Sequence, residues 1–427
     1  MAFDFNSRDF YDKEAFAKET ERIFEICNGC RLCYNLCPSF EVLFDRIDAL
    51  DGEVKKLDEG NTKEVVDLCY DCKLCYPKCP YTPPHNYMLD FPRLMLRGKA
   101  IQAKTKGVSL QDRLLSRTDF LGGISTKIAT LVNWTLKNKS LRLLMEKTIG
   151  IHRDRNLPEY ASETFASWYK RHKETKTQGP RLDDQEKKKV VFFHTCSVNY
   201  NDTDTGKAAI EVLEKNDVEI EVPPQKCCGM PFLDGGDIDN AKRNAEHNIT
   251  ILIDYVKKGY DVVTPGPSCS YLIKQEYPML LGNEDARLVA SRTYDMMEYL
   301  AKLDKEGRFS KDFKNPQGDI TYHLPCHLKT QNIGYKSHDV LELIPGTTVE
   351  IVAKCSGHDG TWSLKKEYFE LSLDVGRRLF EKFTNGSTAA SDCPLAQLQI
   401  EKGSGKKPRH PIQILRDAYG LDENPKV

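Results

Sequence analysis

Apolar positions are sparse in residues 1–26, and the few that recur, Phe16, Ile23 and Phe24, predict a polar helix. Between 41 and 68 the stretches "FEVLFDRIDAL" and "TKEVVDLC" carry helical periodicity. After Pro84, Met88, Leu89, Leu94, Met95 and Leu96 predict another helix. From about 110 to 150, Ile124, Ile128, Leu131, Val132 and Leu136 share a face that Leu141, Leu144 and Met145 continue. Such a face is expected to pack on its own domain, with a partner protein or a membrane surface as the alternative. Residues 173–189, "KETKTQGPRLDDQEKKK", are charged and apolar-poor and read as a linker.

Beyond the linker, short apolar runs alternate with helical periods. "VVFF" (190–193) is a buried strand, "GKAAIEVLEK" a helix and "VEIEV" (218–222) a second strand. Ala241, Ala245, Ile249, Leu252 and Val256 mark a helix ahead of the strand "DVVTP", and "ITYHL" at 320 and "TTVEIVA" at 347 start the cycle again. This is an α/β pattern with at least partly parallel strands. With the helical N-terminal part, the expected class is α+β.

Composition changes the picture in one respect. The 427 residues are 40% hydrophobic and 29% charged, enough for two or three domains, and 62 basic against 63 acidic residues leave a net charge of −1. That balance argues against a nucleic-acid binder. No apolar run reaches the ~18 residues of a membrane span, and no charged-then-apolar leader follows Met1, so the expected location is the cytoplasm, with peripheral attachment to the inner membrane face as the extension. The 15 cysteines are many for that compartment, and eight fall between Cys27 and Cys79. In a leaderless chain of this size such crowding points to metal rather than disulfides.

The eight form two quartets of one spacing: Cys27, Cys30, Cys33 and Cys37-Pro38, then Cys69, Cys72, Cys75 and Cys79-Pro80. Two residues between thiols let a tight turn aim successive sulfurs at corners of one iron–sulfur cube, and in two-cluster ferredoxins the fourth cysteine serves the other cluster. One [4Fe-4S] centre is therefore assigned to Cys27, Cys30, Cys33 and Cys79, and the other to Cys69, Cys72, Cys75 and Cys37. Pro38 and Pro80 supply a fixed φ and no donor where the chain leaves the site. Zinc, the plain alternative, rarely uses this doubled spacing.

The second half repeats itself. "FFHTCSVNYND" around Cys196 parallels "TYHLPCHLKTQ" around Cys326, "KCCGMP" at 226 parallels "KCSGHDG" at 354, and "GPSCSYL" around Cys269 parallels "ASDCPLA" around Cys393. Cys196 and Cys227 are 31 residues apart, Cys326 and Cys355 29. In each copy the cysteines follow predicted strands, where βα loops build sites. The first copy offers Cys196, Cys227, Cys228 and Cys269, enough for a further iron–sulfur cluster. The second offers Cys326, Cys355 and Cys393, with Ser356 where the second vicinal thiol would be. Whether these three hold metal or are buried structural cysteines is open, and His323, His327 and His358 stand nearby as ligands or proton donors. The expected domains are a two-cluster ferredoxin-type unit (1–109), a helical segment meeting a partner or membrane (110–172), the linker (173–189), and duplicated α/β lobes (190–310 and 311–427).

Both quartets, "SRTDFLGGIST", "LPEYASETFASWY", "CSVNYN", "KCCGMP" and "YHLPCH" together resemble the Cys-Cys-Gly iron–sulfur proteins related to heterodisulfide reductase, across nearly the whole chain. The family pattern ends each copy in Cys-x-x-Cys and, in its best understood members, binds a noncubane [4Fe-4S] cluster. Here Leu272, Ser356 and Ala396 depart from it, which weighs against a five-cysteine centre and against heterodisulfide chemistry. What the resemblance implies is an electron-transfer subunit in anaerobic metabolism, accepting electrons from a flavoprotein dehydrogenase and passing them to the membrane quinone pool or another redox acceptor. The "CSGHDG" variant is similar to proteins associated with rubrerythrin-type peroxide defence, which makes such a peroxidase an alternative acceptor. A reductase acting on a disulfide or small acceptor at the C-terminal site, with His358 or Asp359 as proton source, is the enzymatic alternative. No GxGxxG follows a strand, so no flavin or NAD of its own is expected, and "KGSGKKP" at 402–408 is not a phosphate loop.

Overall fold

A computed structural model describes residues 3–175, 187–384 and 386–421. Most of the segment read as a linker, 176–186, lies outside the described residues. Its flanks are structured: 173–175 close the helix Phe165–Thr175, and Lys188 opens the first strand.

The N-terminal part is helical. Asp12 caps the helix Lys13–Cys30 by accepting from the Ala15 N–H at 2.7 Å, and left-handed Arg31 ends it. Pro38 begins the helix Pro38–Asp48 at a position where the missing N–H costs nothing. Asp58 caps Glu59–Leu68, and Asp90 caps Phe91–Lys106. The last helix starts later than the apolar pattern predicts. Met88 has φ +45° in the preceding turn, and Pro92 marks the true first turn. Ile23, Phe24, Leu43, Phe44, Val66, Leu94 and Met95 share the core, against which cysteines of both quartets pack.

The periodic stretch from 110 to 150 is not one continuous face. It breaks into Leu110–Leu115, Thr118–Lys127, Ala129–Lys137 and Lys139–Ile149, interrupted at Ile128 and Asn138. Its apolar side is only partly covered: Val132, Leu136, Leu141 and Met145 are half-buried, whereas Ile124, Ile128 and Leu144 are about half exposed and Leu131 about 60%, as are Phe120 and Trp134 outside that face. Among the described residues no helix is long and apolar enough to cross a membrane.

The second half contains two parallel sheets. The first, β1 (Lys188–Phe192), β2 (Val218–Glu221), β3 (Asp261–Thr264) and β4 (Thr293–Asp295), runs in the order β2-β1-β3-β4. The second, β5 (Gly318–His323), β6 (Thr347–Val352) and β7 (Thr388–Ser391), runs β6-β5-β7. Central β1 shows why its sequence is a continuous apolar run: Val190 and Phe192 enter one core while Val191 and the following Phe193 enter another. The first of these cores also takes Ile320 and Tyr322 of β5 and Ile412 and Leu415 of the C-terminal helix Pro411–Tyr419, so the two lobes are packed as one body. Arg416 on that helix reaches back to Asp204 of the first lobe at 2.8 Å.

Each sheet places its second strand on one side of its first and its third strand on the other. Strand order therefore reverses beside β1 in one lobe and β5 in the other, the crevice where open α/β sheets build sites. His323, at the end of β5, is buried, with Nδ1 3.0 Å from Ser391 Oγ and Nε2 3.2 Å from the Lys354 carbonyl. Burial pushes its pKa down to about 4. An unfolded histidine protonates near 6.5, so the stability held by neutral His323 is complete above that value and is lost as pH falls toward 4. Urea unfolding of the anaerobic protein is expected to lose on the order of 3 kcal/mol over this interval, and His323→Gln to flatten the dependence. An unchanged slope in the variant would contradict the assignment.

Candidate iron–sulfur sites

Cys27 and Cys30 lie on the last turn of the helix Lys13–Cys30, three residues apart on one face, rather than in the tight turn expected. Together with Cys33 and Cys79 they line one cavity walled by Ile26, Phe40, Phe44 and Phe91. Burial raises the Cys27 thiol, and Cys79, Cys33 and Cys30 raise it further, in that order. Cys33 is pushed up to about 11, chiefly by burial.

The second quartet is built differently. Cys69 ends the helix Glu59–Leu68, and the loop to Cys75 has both Asp71 and Lys73 in the left-handed region, φ +56° and +60°. Cys37, brought in as the N-cap of Pro38–Asp48, has Cys69 as the nearest-acting thiol. Burial raises Cys75 well above the usual thiol range, followed by Cys72, Cys69, Cys37 and Cys33. Thiols held protonated this way would give up their protons to solvent when a metal binds, its charge removing the repulsion among the thiolates. The eight thiols lie side by side: Cys75 also lines the cavity of Cys27, Cys30, Cys33 and Cys79, while Cys355 and Cys37 act on Cys72.

In the first lobe, Cys196 follows β1, Cys227 and Cys228 follow β2, and Cys269 follows β3. Cys228 and Cys269 Sγ are 3.2 Å apart. Cys227 is held well below the ordinary thiol value because Cys196 donates to it first, then Cys228, aided by Thr118 and the Gly229 N–H. Cys196 and Cys228 are correspondingly raised. Leu272 lies in the core, on one turn of π-helix.

In the second lobe, Cys326 follows β5, Cys355 follows β6 and Cys393 follows β7. Cys326 Sγ lies 3.5 Å from Asp359 Oδ2, and His327 Nε2 lies 3.7 Å from the same oxygen; these three side chains offer ligand atoms within 4.8 Å of one another. Ser356 is buried and Ala396 packs in the helix Pro394–Ser404. His358 and Asp359 are buried as well, 4% and 6% exposed.

The motif glycines have a geometric reason. Gly229 has φ +101° and Gly357 φ +70°, and a Cβ on Gly357 would run into the Ser372 carbonyl. Gly357→Ala is therefore expected to cost more than the about 1–2 kcal/mol of the left-handed conformation alone, read as a lowered urea midpoint; an unchanged midpoint would contradict this.

Several residues around the sites escape sequence reasoning. The Asp119 carboxylate accepts from the Cys227 N–H at 2.7 Å, and burial, then Cys227, pushes its pKa up to about 6. Tyr70 Oη lies 3.4 Å from Cys355 Sγ, and Thr330 donates to the Cys72 carbonyl at 3.4 Å, so the loop of the second quartet is seated on the second lobe. Lys73 pairs with Asp71 at 2.9 Å and with Glu276 at 3.6 Å, and Arg93 meets Glu276 at 3.6 Å. A lysine and an aspartate between metal-spaced cysteines are the only sequence signal for that network.

The ferredoxin-like and duplicated character of the chain is matched by known families. Residues 20–105 match the citrate utilization protein B Fer4-like domain, and residues 190–274 and 320–401 each match the cysteine-rich domain of the Cys-Cys-Gly type. These domains indicate iron–sulfur clusters. A subunit of the anaerobic glycerol-3-phosphate dehydrogenase of Escherichia coli (strain K12) is 30% identical over 315 residues, 73% of this chain and 77% of that protein. Lactate utilization protein A of Geobacillus sp. (strain WCH70) is 32% identical over 251 residues, 55% of this chain and 99% of that protein. The same-named protein of Bacillus cytotoxicus is 33% identical over 188 residues, 42% of this chain and 75% of that protein. With a Fer4-like domain, two facing cysteine-rich lobes and this extent of identity, the chain belongs to the Cys-Cys-Gly iron–sulfur family that includes this anaerobic glycerol-3-phosphate dehydrogenase component.

Proposed function

We propose that this chain is an electron relay: it accepts electrons from a flavoprotein dehydrogenase and passes them to a quinone pool or another redox acceptor. Two [4Fe-4S] clusters, held by Cys27, Cys30, Cys33 and Cys79 and by Cys37, Cys69, Cys72 and Cys75, and a further cluster on Cys196, Cys227, Cys228 and Cys269, would supply one-electron transfer when bound. The observation that carries the reading is the seriation of sulfur sites. All 15 cysteines fall into four groups, and Tyr70 and Cys72 bring the second group against Cys355 and Cys326. Burial and hydrogen bonds to sulfur are the chain's means of setting potentials, and the Tyr70 hydroxyl and the Gly357 N–H are within reach of sulfur to do so.

The surface supports partners at two places. Leu32, Tyr34, Tyr87 and Met88 are exposed near the first quartet. The exposed Phe120 lies on the helix Thr118–Lys127, whose Asp119 accepts from the Cys227 N–H of the first lobe, and the exposed Leu131 and Trp134 lie on the next helix, whose Asn133 Nδ2 donates to the Tyr160 carbonyl. These are the faces on which a dehydrogenase and a membrane or second redox protein would dock, with the chain in the cytoplasm or peripheral on the inner membrane face.

One observation favours the reductase alternative: Asp359 beside Cys326 is positioned to hold a proton at an open metal. Turnover separates the two. Given an artificial donor, the isolated chain should not consume disulfide, quinone or peroxide at a catalytic rate, but should reduce a partner protein. Rapid turnover of a small acceptor by the chain alone would replace the relay with the reductase.

A further inference from the structure

The two lobes differ reciprocally at one loop. After β2 the first lobe reads Cys227-Cys228-Gly229-Met230, with Met230 in the apolar core. After β6 the second reads Cys355-Ser356-Gly357-His358. The lobe that lacks the vicinal thiol has an imidazole where the other has a thioether. Gly357 turns the chain between the two side chains, and its N–H donates to Cys355 Sγ at 3.3 Å. Two residues between Cys355 and His358 is chelating metal-ligand spacing.

His358 is 4% exposed, and neither ring nitrogen has a hydrogen-bond partner. It lines one cavity with Cys72, Cys326 and Cys355. The other two histidines of this lobe's site are engaged at both nitrogens. His323 holds Ser391 and the Lys354 carbonyl, while His327 Nδ1 lies 2.8 Å from Ser268 Oγ and its Nε2 faces the Asp71 carbonyl at 3.4 Å. A buried polar ring with two idle nitrogens calls for a missing partner. Cys326 Sγ on the same cavity donates to the Asp359 carboxylate at 3.5 Å, a proton that a bound cation would displace.

We propose that His358 is a nitrogen ligand to an iron–sulfur centre held in the second lobe by Cys326, Cys355 and Cys393, standing in for the thiol that Ser356 lacks. Cys393 follows β7, which pairs in parallel with β5, so it leaves the sheet at the same edge as Cys326 and stands at the N-cap of the helix Pro394–Ser404. Three thiolates and an imidazole also suit zinc. Contiguity favours iron: Cys72 of the second quartet shares the cavity wall, and Tyr70 bonds Cys355, so the site abuts a redox centre rather than standing apart. The proposal rests on the relay reading, in which the N-terminal quartets hold iron.

The test is pulsed EPR (HYSCORE) on the anaerobic full-length chain, at natural abundance and with 15N-labelled histidine, beside iron, sulfide and zinc analysis. The expected result is an imidazole nitrogen coupling that shifts with the label and disappears in His358→Met, while the N-terminal EPR signals persist. His358→Cys should keep a centre in the lobe without the coupling, and His323→Gln should retain the coupling. Assembled N-terminal clusters with no nitrogen coupling in the unmodified chain, a coupling that survives His358→Met, or zinc in the lobe in place of iron would each overturn the proposal and leave the relay standing. A preparation without iron would overturn both.

Discussion

Cys75→Ser is expected to remove the second N-terminal centre and stop electron flow from the first quartet to the C-terminal lobes. Cys75 sits between the groups: Cys72, Cys69 and Cys37 act on it from its own, and Cys33 from the other, while its side chain also lines the cavity of the first. A hydroxyl there is a poor ligand for a soft metal. Loss of an outer-shell partner costs roughly 10–100-fold in metal affinity or activity, and loss of a ligand where the two groups meet should cost more. Stopped-flow reduction of the lobes should fall by at least that factor, with part of the visible absorbance gone. Cys30→Ser, away from the bridge, should bleach the first centre and leave the second reducible by a small donor. Unchanged spectra and rates in Cys75→Ser would refute the assignment.

The second large effect is on stability. Lys73 is 3% exposed in the loop of the second quartet, where its ammonium faces Asp71 and Glu276, and Glu276 in turn faces Arg93. Burial alone would lower Lys73, but Asp71, Tyr271 and Glu276 hold it well above the ordinary lysine value. Against the raising effect of burial, Arg93 and then Lys73 hold Glu276 below the usual carboxylate range. The Glu276 contribution is thus present above about pH 4.3 and lost as pH falls through its lower folded value; the Lys73 contribution is present below about pH 10.4 and lost as pH rises through its higher one. Lys73→Met leaves two buried carboxylates short of a cation and is expected to destabilise by about 3–5 kcal/mol. It also frees the left-handed residues 71 and 73, so the second centre should become labile. Adding Glu276→Gln should recover part of the loss, because one stranded charge goes with it. A Lys73→Met midpoint in urea equal to that of the unmodified protein would show that the network does not hold the loop.

The cysteine spacing, the βα alternation and the duplication are legible in the sequence because each is a short-range pattern. Strands β1, β2, β3, β5 and β6 are Val- and Ile-rich runs that periodicity finds. β7, "TAAS", and β4, "TYD", escape it: small or polar residues carry no strand signature, and they are strands because a central parallel neighbour pairs with them. The face from Ile124 to Met145 reads as packed from its periodicity, yet Ile124, Ile128, Leu131 and Leu144 stand exposed, since amphipathic spacing alone does not say what covers a face. Tyr70, Asp119 and Glu276 are invisible for a different reason. Their roles come from contacts with residues 285, 108 and 203 positions away, which no local pattern encodes.

Iron, acid-labile sulfide and zinc measured on one anaerobic sample, with EPR of the dithionite-reduced chain, bear most directly on whether sulfur-bound iron makes this protein a relay. A brown protein with at least about eight iron and eight sulfide per chain and interacting reduced-cluster signals is the predicted result. A colourless protein carrying zinc and no labile sulfide would contradict it.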